Sequence, residues 1–151
     1  MNDVHQYLTL VSTMRRNSHL PPGFKYSCME EFVLKHGKFL GGRSEKSDNY
    51  PKGTMKECFL NSFHLSLENK DLIYCEGYAM GIIPVLHAWC IDKDGHVIDV
   101  TWNDGTEYIG VFFHIDYVKK VILKKQSYGI IDNFEMKWPL LRGEHFEDLR
   151  C

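Results

Sequence analysis

The chain has 151 residues, 44% of them apolar and 25% charged, and its 18 basic and 20 acidic residues give a net charge of −2. That length and apolar content supply one hydrophobic core and leave little for a second, so a single domain over 1–151 is expected. The near balance of charge removes the general attraction that draws basic proteins to nucleic acid or anionic membrane, and no stretch is long and apolar enough to span a bilayer.

Helices open the chain. Val4, Tyr7, Leu8, Val11 and Met14 recur at helical spacing and predict an amphipathic helix over Asp3–Arg16, stopped by Asn17 and Pro21-Pro22-Gly23. The same segment lacks the continuous apolar run of a secretory leader. Ser27-Cys28-Met29-Glu30 has the form of a capping box and predicts a second helix over about 28–40, with Gly41-Gly42 as its stop. The polar stretch 43–53 predicts a loop, of the kind that carries substrate contacts beside a reactive group.

Thr54-Met55-Lys56-Glu57 reads as another capping box, which places Cys58 in the first turn of a third helix ended by Asn69-Lys70-Asp71. Unpaired amides and the positive end of the helix dipole favour a thiolate there, and the thiolate is the reactive form of cysteine. The Cys58 backbone amide is the natural donor to a developing oxyanion. A second donor is expected from Asn49 or Tyr50 in the preceding loop, with Asn61, one turn along on the same helical face, as a further candidate.

Strands follow, near 72–79, 86–91, 97–102, 109–113 and 120–125. Asp92-Lys93-Asp94-Gly95 predicts a tight turn between the second and third, a hairpin that sets His87 opposite Asp99 or its immediate neighbour. Glu76 and Tyr78 share one face of the first strand. Glu76, charged in an apolar strand, is paired, exposed at a sheet edge or a candidate substrate contact, and Trp89 beside His87 joins the candidate substrate-binding set. The lysine pairs 119–120 and 124–125 flank Val121-Ile122-Leu123 like the solvated ends of a strand. Residues 126–151 are weakly patterned, and the large apolar side chains of 134–141 either fold back over the sheet, the default, or form a partner-binding patch. Helices followed by strands predict an α+β domain: N-terminal helices and the Cys58 helix packed on an antiparallel sheet, with a catalytic core over about 50–125.

Cys58, His87 and Asp99 are thus a thiol nucleophile, a base and a carboxylate to orient that base. The succession of Cys58 at a helix start, Glu76-Gly77-Tyr78-Ala79, His87-Ala88-Trp89 and Ile98-Asp99-Val100-Thr101 resembles the transglutaminase-like branch of the papain-like cysteine-enzyme superfamily over residues 50–112. The resemblance implies a papain-like core with Cys58 as nucleophile, His87 as base and Asp99 as its orienting partner. That family more often has Asp-Pro-Thr where this chain has Asp99-Val100-Thr101.

No cofactor or metal is expected. There is no C-x-x-C or H-x-x-x-H spacing, and Asp92-Lys93-Asp94-Gly95 lacks the later glutamate of a calcium loop. Of the remaining thiols, Cys28, Cys75, Cys90 and Cys151 read as small hydrophobes. Five unpatterned cysteines suit a reducing, cytoplasmic setting, which includes a host cytoplasm if the protein is viral or injected. Among the other histidines, His64 is expected on a different helical face and His96 and His145 in solvent, while His5, His36 and His114 have no partner that the sequence names. Two functions fit this pattern. One is an acyl-transfer enzyme, a peptidase, deamidase or transglutaminase type acting on a protein, peptide or small amide. The other is a catalytically silent inhibitor or effector that uses the same cleft to hold a partner.

Overall fold

The structure, a computed structural model, describes residues 3–18 and 20–144. Helix α1 spans Asp3–Arg16, as its apolar periodicity requires, and buries Val4 and Leu8. Helix α2 is shorter than expected, Met29–His36, because Lys38–Leu40 leave the helix to become strand β1, paired antiparallel with β5. Helix α3 covers Cys58–Glu68. Strands β2 (Ile73–Met80), β3 (Pro84–Ile91), β4 (Val97–Ile98) and β5 (Glu107–Phe113) complete a sheet of order β1-β5-β2-β3-β4 in which neighbouring strands run antiparallel. The architecture is therefore α+β.

The stretch expected as a strand near 120–125 is instead the second half of helix α4, Ile115–Lys125. Its apolar triplet Val121-Ile122-Leu123 is too short to separate strand from buried helix by itself. The helix is decided further upstream, where the His114 side chain accepts from the Asp116 amide and caps the first turn, while Tyr117, Val118 and Val121 form one buried stripe.

Neither expected capping box forms. Ser27 donates to the Glu31 carboxylate at 2.7 Å, and Cys28 occupies the cap position of α2 without a side-chain cap bond. At α3 the cap position is Glu57, preceded by Lys56 at φ 67°, and the Thr54 carbonyl closes a turn onto the Glu57 amide. Cys58 is consequently the first residue of its helix.

One face of the sheet lies against α1, α2, α3, α4 and the chain beyond Gln126, around a core of Phe32, Tyr74, Tyr78, Ala88, Val111, Phe113, Val118, Ile130 and Leu140. The opposite face holds a smaller aromatic cluster with Trp89 and Tyr108 at its centre and Trp102 partly buried at its side. The later segment folds back, as its apolar content implies: Ile130, Ile131, Leu140 and Leu141 are buried, and the Lys25 and Tyr26 amides donate to the Leu141 carbonyl.

Glu76 fastens that segment. Its carboxylate, fully buried, accepts the Ile130 amide at 2.7 Å, the Ile131 amide at 3.0 Å and the Tyr74 hydroxyl. Burial pushes its proton affinity up, while those donors and the Lys125 charge pull it back. Replacing Glu76 by alanine orphans three buried donors, each costing about 1–3 kcal/mol. Urea melts of Glu76→Ala should show a loss of at least about 2 kcal/mol.

Candidate active site

The β3–β4 hairpin closes on Asp92-Lys93-Asp94-Gly95, with the Asp92 carboxylate capping the amides of Asp94 and His96 at 2.9 Å each. Its register, Cys90↔Ile98 and Ile91↔Val97, places Asp99 across from Trp89 and one diagonal step from His87 on the same face, so that, contrary to expectation, His87 lies opposite neither Asp99 nor its immediate neighbour. Pairing stops at Ile98, short of the strand expected to run to 102, because Asp99 turns the chain. Its Oδ1 accepts the amides of Thr101 at 2.9 Å and Trp102 at 3.0 Å.

This turn aims Oδ2 at His87. The His87 Nε2 to Asp99 Oδ2 distance is 2.8 Å, and both residues are only 1% exposed. A carboxylate can only accept, so Nε2 carries the proton and the lone pair of the neutral ring lies on Nδ1. The ring plane is fixed by Trp102, stacked on it at 4.1 Å between centroids and 23° between planes. Burial disfavours the imidazolium, but hydrogen bonding to Asp99 and to Cys58 outweighs it and raises the His87 pKa. Burial likewise opposes ionisation of Asp99, and the His87 bond and charge, helped by the Trp102 amide and Tyr108, lower its pKa.

Cys58 approaches from α3, which packs on β3, and its residue is 9% exposed. As the first residue of a helix its amide has no acceptor within that helix. Cys58, Cys28, Cys75 and Cys90 are free thiols among the described residues, and burial raises the Cys28 and Cys90 pKa values.

Other expected contacts fall elsewhere. Asn61 donates through Nδ2 to the Thr54 carbonyl at 2.8 Å and to Thr101 Oγ1 at 2.9 Å, so both amide protons are committed to tying the pre-helix loop to the turn after Asp99. Tyr50 packs on Leu65, Leu72, Cys90, Ile98 and Val100. Asn49 is exposed at the end of the 3-10 turn Glu45–Asn49. Glu76 pairs with Ala88 while Gly77 pairs with His87, so the pleat points Glu76 away from His87 and into its bonds with Ile130 and Ile131. Trp89 is fully buried in the cluster beneath the imidazole, 6.2 Å from it, with its benzo edge over Gly110, where an added Cβ would meet the ring at 2.5 Å. It underlies the His87 ring and is shielded from solvent. His114 caps α4, His36 meets the Tyr26 hydroxyl at 2.5 Å, and His64 is exposed, its ring near Phe63 and Tyr128; His145 and Cys151 lie outside the described residues.

The 43–53 segment braces Asp99 instead of forming an open binding loop. Ser47, 1% exposed, accepts the Asp99 amide at 3.0 Å and donates to the Val97 carbonyl at 3.2 Å, while Arg43 Nε donates to the Asp99 carbonyl at 3.0 Å. Ser47 and Arg43 carried no pattern that marked them beforehand. Nor did Tyr108, whose hydroxyl donates to Asp99 Oδ2 at 2.7 Å; its place in an apolar strand reads as core. Asp92, Asp94 and His96 bring one donor atom each within 4.8 Å of one another, but the Asp92 oxygens already serve the hairpin turn, and Lys46 Nζ stands 3.5 Å from His96 Nδ1.

Comparison with models of protein families, with curated proteins and with solved structures finds no match.

The coupled shifts fix a pH signature. A raised histidine pKa contributes stability that is complete below the unfolded value of about 6.5 and fades as pH rises through the folded one. A lowered aspartate pKa contributes above the unfolded value of about 3.9 and fades as pH falls through the folded one. The stability margin of wild type over Asp99→Asn, from urea melts across pH, should therefore peak between about pH 4 and 6.5 and shrink on either side. A margin independent of pH would deny the ion pair.

Proposed function

We propose that the protein is a cysteine-dependent acyl-transfer enzyme of transglutaminase-like type, acting on an amide or thioester carbonyl through Cys58, His87 and Asp99. The observation that carries this reading is the buried 2.8 Å bond from His87 Nε2 to Asp99, which leaves Nδ1 as the basic nitrogen of the ring. An apolar core has no use for a buried, ionisable His87–Asp99 pair.

In the proposed reaction Nδ1 takes the Cys58 proton and the thiolate attacks the carbonyl carbon. The resulting oxyanion is met by the Cys58 amide at the start of α3. The C–N or C–S bond then breaks as the imidazolium returns its proton to the leaving amine or thiol, which leaves a thioester on Cys58. Water or an acceptor amine, deprotonated by Nδ1, attacks that thioester and releases the acyl group, and Cys58 recovers its proton. No helix of the described residues is long and apolar enough to cross a membrane. The four free thiols fit a reducing, cytoplasmic setting.

The second reading, a silent binding protein, draws on two facts: Cys58 is 9% exposed, and Trp102 covers the imidazole. Iodoacetamide near neutral pH, read by peptide mass spectrometry, separates the two. Cys58 should be alkylated ahead of Cys28 and Cys90, whose thiols burial holds protonated. Asp99→Asn should slow that alkylation and, on any amide the protein turns over, reduce turnover by orders of magnitude, about 10⁴-fold in the serine-protease precedent. A Cys58 that stays unmodified while the protein remains folded would favour the binding protein.

A further inference from the structure

Asp99 Oδ2 serves two donors, His87 Nε2 at 2.8 Å and the Tyr108 hydroxyl at 2.7 Å. Tyr108 sits on β5, on a strand and loop separate from the other members of the site, and is fully buried. Its hydroxyl is brought there by two local features. The ring stands edge-on to Trp89, 4.9 Å between centroids and 68° between planes. At Gly105 an added Cβ would lie 2.0 Å from the Tyr108 oxygen, so only glycine leaves room for the hydroxyl to reach the carboxylate. Phenylalanine would fill the same core volume, and what tyrosine adds is a donor to this one oxygen.

We propose that Tyr108 is a positioning residue for the acyl-transfer chemistry, holding Asp99 Oδ2 and drawing off part of the charge that it presents to His87. The claim rests on the proposed function for its purpose, but its physical content concerns only the Tyr108–Asp99–His87 chain. A histidine that must give its Nδ1 proton to a leaving amine works worst when the charge of the partner on Nε2 stabilises the imidazolium too strongly. A second donor on the same carboxylate oxygen weakens that stabilisation without removing the bond that orients the ring. The phenol stays a donor throughout, because burial and the neighbouring Asp99 charge both push its pKa up. The charged and titratable groups acting on this chain are Cys58 from α3, Cys90 from β3, Arg43 and Asp104 from the loops beside Tyr108, and Asp99 itself.

Tyr108→Phe removes the donor and keeps the ring. The readout is the His87 titration midpoint, followed through side-chain ¹⁵N NMR and assigned by the signal missing in His87→Gln. It should rise by about half a pH unit or more, since the full carboxylate charge then faces the imidazolium. The pH profile of Cys58 alkylation should move in the same direction. An unchanged or lower midpoint in the folded variant, whatever its loss of melting temperature, would make Tyr108 a core residue and overturn the proposal. Should Tyr108→Phe fail to fold, uniform incorporation of 3-fluorotyrosine decides it: the more acidic hydroxyl donates more strongly, the midpoint should fall, and a midpoint that stays put overturns the claim. Wild-type Cys58 alkylation tests the acyl-transfer reading separately, so an inert thiol sinks that reading while the His87 midpoint still decides the coupling.

Discussion

A single buried carboxylate, Asp99, is the constraint around which this half of the molecule is arranged. An ionised group at 1% exposure is strongly unfavourable unless its oxygens are filled. Here four donors fill them: the amides of Thr101 and Trp102, the His87 ring and the Tyr108 hydroxyl. Its backbone is held as well, by Ser47 and Arg43. Those partners come from the 43–53 segment, β3, the turn after β4, and β5. Asp99 thereby turns a short hairpin into the meeting point of four pieces of chain, and satisfying its charge also fixes the imidazole.

The molecule repeats the device on the other face of the sheet. Glu76 is buried, surrounded by donors, and joins β2 to a distant segment at Ile130 and Ile131. The difference between the two carboxylates lies in what fills them. Glu76 takes backbone amides and a tyrosine hydroxyl, none of which ionises in the neutral range, so it can only hold structure. Asp99 takes a histidine, whose charge can change. Two chemically similar groups on adjacent layers thus differ, because of one donor, in whether a bonded partner can change its charge.

The features legible in the sequence were those fixed by local physics. The α1 periodicity, the Asp-Gly hairpin, the helix start at Cys58 and the α+β order all depend on residues close in the chain. What escaped was long-range. Lys38–Leu40 is a strand only because β5 offers its edge, and Val121-Ile122-Leu123 is helical because His114 caps the turn before it. Thr54 and Ser27 had capping spacing, yet other partners claimed their neighbourhoods. At the site, His87 and Asp99 were visible through their hairpin, whereas Tyr108, Ser47 and Arg43 reach Asp99 from 9, 52 and 56 residues away and left no spacing to read. Glu76 and Asn61 were misplaced for the same reason, since a polar side chain near a nucleophile in sequence gives no sign that a remote backbone has already taken its hydrogen bonds.

The aromatic cluster adds a consequence for the proposed chemistry. Trp102 lies flat on the His87 ring and Trp89 is near-parallel at 6.2 Å, so rotating the imidazole out of plane would break the stack as well as the Asp99 bond. A ring that cannot flip must use one nitrogen for every transfer: Nδ1 accepts from Cys58, donates to the leaving group, and accepts again from the incoming water or amine, while Nε2 never leaves Asp99. Such an arrangement gains nothing from mobility in the base, and all its variation must come from how strongly Nδ1 holds its proton. On the proposed reading that strength is set on the far side of the ring by the donors around Asp99, and the buried hydrogen-bond chain behind His87 is the part of the fold through which the proposed chemistry is tuned.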